Sequence, residues 1–318
     1  MVTQKNVKQA LRFQMNPFKI KAFIGKFLMD RHLKSMGETL GVKSQMFSGE
    51  VNISWDEIRQ GEKETILYLH GFSDRKESFY YAAKTLSGTY DIIMPELPGF
   101  GGSEKHHDRQ HGITDYILWF EEFLLSLNIE KVHLAGASMG GAISAYLAAR
   151  HPEKVKSLTL IDAAGFVLNN YNTFYEEVLG DECPFLIKSE QEYEVFRGRI
   201  FFNQIKIPNF VKEYLIKEMI DNHDWYKKIL YDTFDEKSLG GLTANKPALT
   251  LNNLFGKITI PVNIIWGKED TLFPYQMAEY AHKKINGCRL RILENVGHCP
   301  QLENPKLFSR ILGELLSF

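Results

Sequence analysis

The chain has 318 residues, 44% hydrophobic and 24% charged, so it can bury a substantial core and is not a disordered, collagen-like or coiled-coil chain. Its 38 Lys and Arg nearly balance 39 Asp and Glu, so no global basic field points to nucleic acid. Three scattered cysteines (Cys183, Cys288, Cys299) fit neither a disulfide framework nor the paired spacing of a zinc site, and no apolar run reaches the roughly 18 residues of a membrane span.

The first 50 residues carry nine Lys or Arg against three acidic residues, and recurring lysines leave no uninterrupted apolar signal core. Asn16-Pro17 reads as an N-cap followed by proline at the first helical position. Ile20, Phe23, Ile24, Phe27 and Leu28 then follow the i, i+3, i+4, i+7, i+8 pattern of an amphipathic helix. Lys19, Lys21 and Lys26 flank that stripe, where long side chains keep their charges in water. Two readings stand: residues 16–34 lie on an anionic membrane surface, or the stripe packs on the protein body. Either way the expectation is a cytoplasmic protein, peripheral on a membrane under the first reading.

From about residue 43 the pattern changes to strands, with Ser48-Gly49 as a turn between two short ones ending near Trp55. Strand candidates follow at Ile66–Leu69, Ile92–Met94, Val132–Ala135, Leu158–Ile161, Val262–Trp266 and Leu290–Leu293. Helical stretches fall between them at Ser78–Leu86, Ile113–Leu127, Met139–Arg150, Tyr275–Lys284 and Pro305–Leu316. This alternation predicts an α/β fold, a mostly parallel sheet with helices on both faces and its functional residues at the carboxyl ends of the strands.

About 100 residues separate the strand ending at Ile161 from the one beginning at Val262, far more than an ordinary connection. They hold Phe166, Tyr171, Phe174, Tyr175, Phe185, Phe196, Phe201, Phe202, Trp225 and Tyr226. This interval reads as a helical cap inserted before the acid-bearing strand. Its aromatics form the insertion's own core, or some of them line a pocket. The chain then divides into a basic helical segment (1–42), a first core part (43–164), the cap (165–255) and a second core part (256–318).

Gly136-Ala137-Ser138-Met139-Gly140 matches GxSxG, a weak signal alone that gains force from the strand before it and the helix after it. A strained strand-to-helix turn needs small residues where neighbouring backbone passes close, and Gly136, Gly140, Gly141 and Ala142 supply them. A serine hydroxyl is a poor nucleophile at neutral pH and needs a base, which a carboxylate must orient. His298 fits the base, being the one histidine after the final strand candidate. Asp270 in Trp266-Gly267-Lys268-Glu269-Asp270 is the chosen acid, with Glu269 and Asp162 as rivals. The N–H groups of Met139 and of Phe72, in the loop His70-Gly71-Phe72, form the candidate oxyanion hole, and Gly71 lets that loop come close. His106, His107 and His111 read as solvated, His133 as packed core, His70 as a brace for its loop and His282 as helix surface. Gly99-Phe100-Gly101-Gly102 departs from GxGxxG and opens no helix, so it reads as a tight loop.

His70-Gly71-Phe72-Ser73, Leu97 to Ser103, the turn around Ser138, Trp266 to Asp270 and Asn295-Val296-Gly297-His298 together resemble the α/β-hydrolase fold superfamily over about residues 45–318. Residues 70–74, 138–141 and 266–270 are most similar to its monoacylglycerol-lipase-like branch. That resemblance implies a serine hydrolase of carboxylic esters, with a small-molecule ester substrate bearing an apolar acyl chain and no metal or organic cofactor. Alternatives keep the triad for C–C bond or thioester cleavage, or keep the fold for ligand binding with little turnover. The C–C hydrolase branch usually carries Trp after its histidine, where this chain has Cys299.

Overall fold

The computed structural model describes residues 17–61, 63–168, 176–178, 183–234 and 250–317. Asn16, Tyr171, Phe174 and Tyr175 lie outside the described residues. Within them run strands β1 (Lys43–Ser48), β2 (Asn52–Ile58), β3 (Thr65–Leu69), β4 (Asp91–Pro95), β5 (Val132–Ala137), β6 (Val155–Ile161), β7 (Val262–Gly267) and β8 (Arg289–Leu293). They form one sheet in the order β1-β2-β4-β3-β5-β6-β7-β8. β1 and β2 pair antiparallel, as do β2 and β4, and the remaining neighbours pair parallel. The helices in chain order are α1 (Pro17–Leu40), α2 (Tyr80–Leu86), α3 (Ile113–Ser126), α4 (Met139–Arg150), α5 (Glu190–Ile200), α6 (Asn209–Asp221), α7 (His223–Phe234), α8 (Gln276–Lys284), α9 (Pro300–Glu303) and α10 (Pro305–Leu316).

Period-two side-chain geometry splits each central strand between two cores. Along β3, Ile66 and Tyr68 join Phe79, Leu86, Phe308 and Leu312 on the face covered by α2 and α10. Leu67 and Leu69 join Phe120, Ile143 and Leu147 on the face covered by α3 and α4. Both faces being covered, the strand is apolar almost throughout. Helix α10 shows the local rules plainly. Pro305 opens it, the Asn304 side chain accepts from the Leu307 N–H at 3.2 Å, and Phe308, Ile311, Leu312 and Leu315 recur at helical spacing on the buried side.

Two expectations shift in detail. β6 begins at Val155 rather than Leu158, because exposed Lys156 interrupts the apolar run without interrupting the strand. The stretch expected as one helix from Ser78 starts as a 3₁₀ turn at Lys76–Phe79 before α2.

The apolar stripe of α1, for which the sequence leaves two readings open, is only partly covered by the protein body. Its two rings face outward, Phe23 73% and Phe27 59% exposed, while Ile20, Ile24 and Leu28 are 37–40% exposed. The helix docks along α6 by its small-residue face instead, through buried Ala22 and Gly25. The two backbones approach so closely that a Cβ at Gly25 would lie 1.7 Å from the Phe210 carbonyl oxygen. Among the described residues no helix is long and apolar enough to cross a membrane.

Candidate active site

Ser138, Asp162, Asp270 and His298 follow the carboxyl ends of β5, β6, β7 and β8 respectively, and Gly71 follows β3. At Ser138 the backbone turns from strand to helix with φ 51° and ψ −119°, a left-handed conformation unusual for a residue with a side chain. The turn is held from both sides: the Ser138 N–H donates to the Ile161 carbonyl at 2.9 Å, and the Ser138 carbonyl accepts from Ala164 N–H at 3.0 Å. Close approach explains the small residues around it. A Cβ at Gly140 would sit 2.3 Å from the Leu69 carbonyl oxygen, and one at Gly136 would sit 2.3 Å from that of Gly140. Met139 is the first residue of α4, so its N–H has no acceptor within the helix. Phe72 lines the same cavity as Ser138.

His298 and Asp270 are both buried, and His298 Nδ1 lies 2.7 Å from Asp270 Oδ2. The other Asp270 oxygen accepts from the N–H groups of Leu272 and Phe273, at 2.8 and 3.0 Å. Of the two rival acids, Glu269 turns away and accepts from Val296 N–H at 2.9 Å. Asp162 Oδ1 accepts from Gly267 N–H at 2.8 Å. His298 Nδ1 and Asp270 Oδ2 face each other in a hydrogen bond, and a ligating oxygen of Asp162 lies within 4.8 Å of ligating atoms of both. Ser138 Oγ makes no hydrogen bond among the described residues, but it lines one cavity of about 720 Å³ together with Gly71, Phe72 and His298. Such a volume lies within the roughly 300–1,000 Å³ of small-molecule pockets.

The walls of the cavity are mostly apolar, with Arg75, Glu77, Arg197, Lys206 and Glu218 also among the lining residues. Phe185, Phe196, Phe201 and Tyr226, four of the expected insertion aromatics, line it. Leu28, Met29 and Leu33 of α1 also line it. Phe166 packs in the core near Trp266, Phe202 is exposed, and Trp225 donates its indole N–H to the Gly99 carbonyl at 2.7 Å.

His70 is fully buried behind the Gly71 loop, as a brace should be. Its Nδ1 lies 2.8 Å from the Gly71 carbonyl oxygen and its Nε2 lies 2.9 Å from Glu96 Oε1. Burial opposes its charge, yet the Glu96 partner raises the imidazole above its ordinary value; burial opposes the Glu96 charge too, and His70 with Lys76 and Arg75 holds that carboxyl low. His133 is buried between Ser157 and Glu64, and His282 is exposed. His107 is exposed, and His106 lies 2.9 Å from Glu104. His111 departs from the expected solvated state: it is fully buried, edge-on to Tyr116, Trp119 and Trp225.

Sequence reasoning missed how the end of α5 holds the acid and base loops. The His298 N–H donates to the Ile200 carbonyl at 2.8 Å, and the Thr271 hydroxyl donates to the Arg199 carbonyl at 2.9 Å. Glu303 accepts from Gly297 N–H at 2.7 Å and Asn203 N–H at 2.9 Å. These bonds join distant segments through backbone atoms, which no side-chain pattern signals.

A family model described as alpha/beta hydrolase fold matches residues 64–305. A monoacylglycerol lipase of Xenopus laevis is 31% identical over 268 residues, covering 81% of this chain and 77% of that protein. Lipase 1 of Psychrobacter immobilis is 30% identical over 261 residues, covering 78% of each chain. Among solved structures, a bacterial membrane phospholipase A superposes with a TM-score of 0.83 at 25% identity, covering 92% of both chains.

Proposed function

The chain belongs to the α/β-hydrolase fold family, and on that premise we propose that it is a serine hydrolase cleaving carboxylic esters of lipid-like, single-chain substrates such as monoacylglycerols. In this reading Ser138 Oγ attacks the ester carbonyl while the free ring nitrogen of His298 takes its proton. Asp270 fixes the imidazole tautomer and stabilises the imidazolium. The N–H groups of Phe72 and Met139 bind the oxyanion. His298 returns the proton to the departing alcohol, and a water it then activates hydrolyses the acyl-enzyme. The Ser138 hydroxyl is unbonded among the described residues, and catalytic hydrogen bonds of this kind commonly tighten only around substrate.

The observation that carries the reading is the 2.7 Å bond from His298 to Asp270 at the wall of the cavity that Ser138 lines. The apolar walls and the names of the similar lipases support an acyl chain as the occupant. The outward stripe of α1 supports peripheral contact with an anionic membrane. Residues 1–40 carry eight Lys or Arg against two acidic residues, and α1 also contributes to the cavity wall, so a lipid surface under it would lie close to the cavity.

The test is Ser138→Ala assayed beside the unaltered protein on p-nitrophenyl butyrate and a monoacylglycerol. Loss of turnover on both is the expected result. Substantial retained turnover would show that another residue is the nucleophile.

A further inference from the structure

Asp162 is a second carboxyl beside the acid–base pair, and the mechanism above gives it nothing to do. It is fully buried, directly after β6, with φ 41°. One oxygen accepts from Gly267 N–H at 2.8 Å, which ties the end of β6 to the end of the strand that carries the Asp270 loop. Its other oxygen, Oδ2, is buried with no donor facing it among the described residues. A ligating oxygen of Asp162 lies within 4.8 Å of ligating atoms of both Asp270 and His298.

Two carboxylates in this position would leave an acceptor facing an acceptor in a buried site, with an unpaired anion left over. A single proton removes both faults. The donor count decides where it sits: Asp270 collects three N–H donors and Asp162 one. Other titratable groups around Asp162 are His298, with a ring nitrogen within 4.8 Å, and Glu303, Cys299 and Tyr68; none of them is a Lys or Arg.

We propose that Asp162 is a neutral carboxylic acid whose O–H donates to the Asp270 carboxylate, making it a positioning residue for the Asp270–His298 pair. Burial, and after it the Asp270 charge, push the Asp162 carboxyl well above the ordinary range, in keeping with that geometry. The hydrogen bond fixes the carboxylate that orients His298, and a neutral donor does so without adding a second negative charge beside the ring. The kinetic consequence rests on the ester-hydrolase reading; the protonation state does not.

The test therefore has two arms. Infrared difference spectra of the unaltered protein against Asp162→Asn at neutral pH are expected to show a protonated-carboxyl C=O band that the variant lacks. Absence of that band overturns the proposal whatever the turnover. In the kinetic arm, Asp162→Ala lowers kcat by about 10–100-fold, the range seen when a partner that orients a functional ligand is removed, with KM little changed. Asp162→Asn, which keeps a donor, recovers most of that loss and leaves the acidic limb of kcat/KM where it was. A limb displaced to lower pH in Asp162→Asn would mean that an anion had been removed from beside His298, and overturns the proposal. So does an Asn variant as impaired as Ala. If Ser138→Ala stays active, the assignment of Ser138 as nucleophile fails while the infrared arm still decides the proton.

Discussion

Gly71 faces Ser138 at such close range that a methyl group added to it would lie 3.0 Å from the Ser138 Cβ and 3.7 Å from its Oγ. The loop carrying the Phe72 N–H is thereby pressed against the serine. Gly71→Ala must displace one or the other. We expect kcat to fall about 10²–10³-fold, comparable to removal of one oxyanion donor, with a smaller change in KM. Steady-state kinetics on a short p-nitrophenyl ester measure it, and an unaltered kcat would mean the Phe72 N–H is not aimed at the reacting oxygen.

Asp270→Asn keeps the size of the acid and removes its charge. The imidazole then loses the acceptor that fixes its tautomer, and we expect kcat to drop about a thousand- to ten-thousand-fold. Fluorophosphonate labelling of Ser138 should slow in parallel. A drop of less than ten-fold would move the acid's role elsewhere.

His111 predicts acid lability. Burial, and then the nearby Lys228 charge, push its imidazole down to about 4 from 6.5, while Asp232 and the Arg109 backbone act in the opposite sense. Between those two values the unfolded chain binds a proton that the folded ring refuses. Stability is therefore intact above pH 6.5 and declines as pH falls towards 4, by at most about 3 kcal/mol from this residue. Urea unfolding across that window should give a shallower decline for His111→Phe than for the unaltered chain. Identical slopes would contradict the assignment.

Phe23 and Phe27 stand in water, so the double substitution to Ser should leave thermal stability within about 0.5 kcal/mol of the parent. If those rings enter lipid, returning them to water costs about 1.5–3 kcal/mol each. Flotation with vesicles containing phosphatidylglycerol should then weaken at least about ten-fold, together with hydrolysis of vesicle-borne monoacylglycerol. Turnover of a soluble ester should not change. Equal binding by both proteins would leave the stripe without a membrane role.

Most of the sheet was legible because its signals are local. Ile66–Leu69 and Met139–Arg150 announce themselves by run length and by the small residues at their ends, and both appear with little or no shift. The positions of Ser138, Asp270 and His298 were legible for a related reason: each follows a strand that could be recognised alone. What was not legible comes from long-range neighbours. His111 sits in a polar stretch, yet it is buried by Trp119 and by Trp225, which is more than a hundred residues away. The docking face of α1 was hidden because close backbone packing uses Ala22 and Gly25, residues that hydrophobic periodicity scarcely registers.

The carbonyls of Arg199 and Ile200, at the end of α5, hold the Thr271 and His298 loops by hydrogen bonds. That helix cannot swing aside like a hinged flap while those two loops stay assembled. Passage in and out of the chamber is therefore not expected to need movement of α5; the α1–α6 side of its wall is closely packed as well. Stapling α5 to the His298 loop should leave turnover intact.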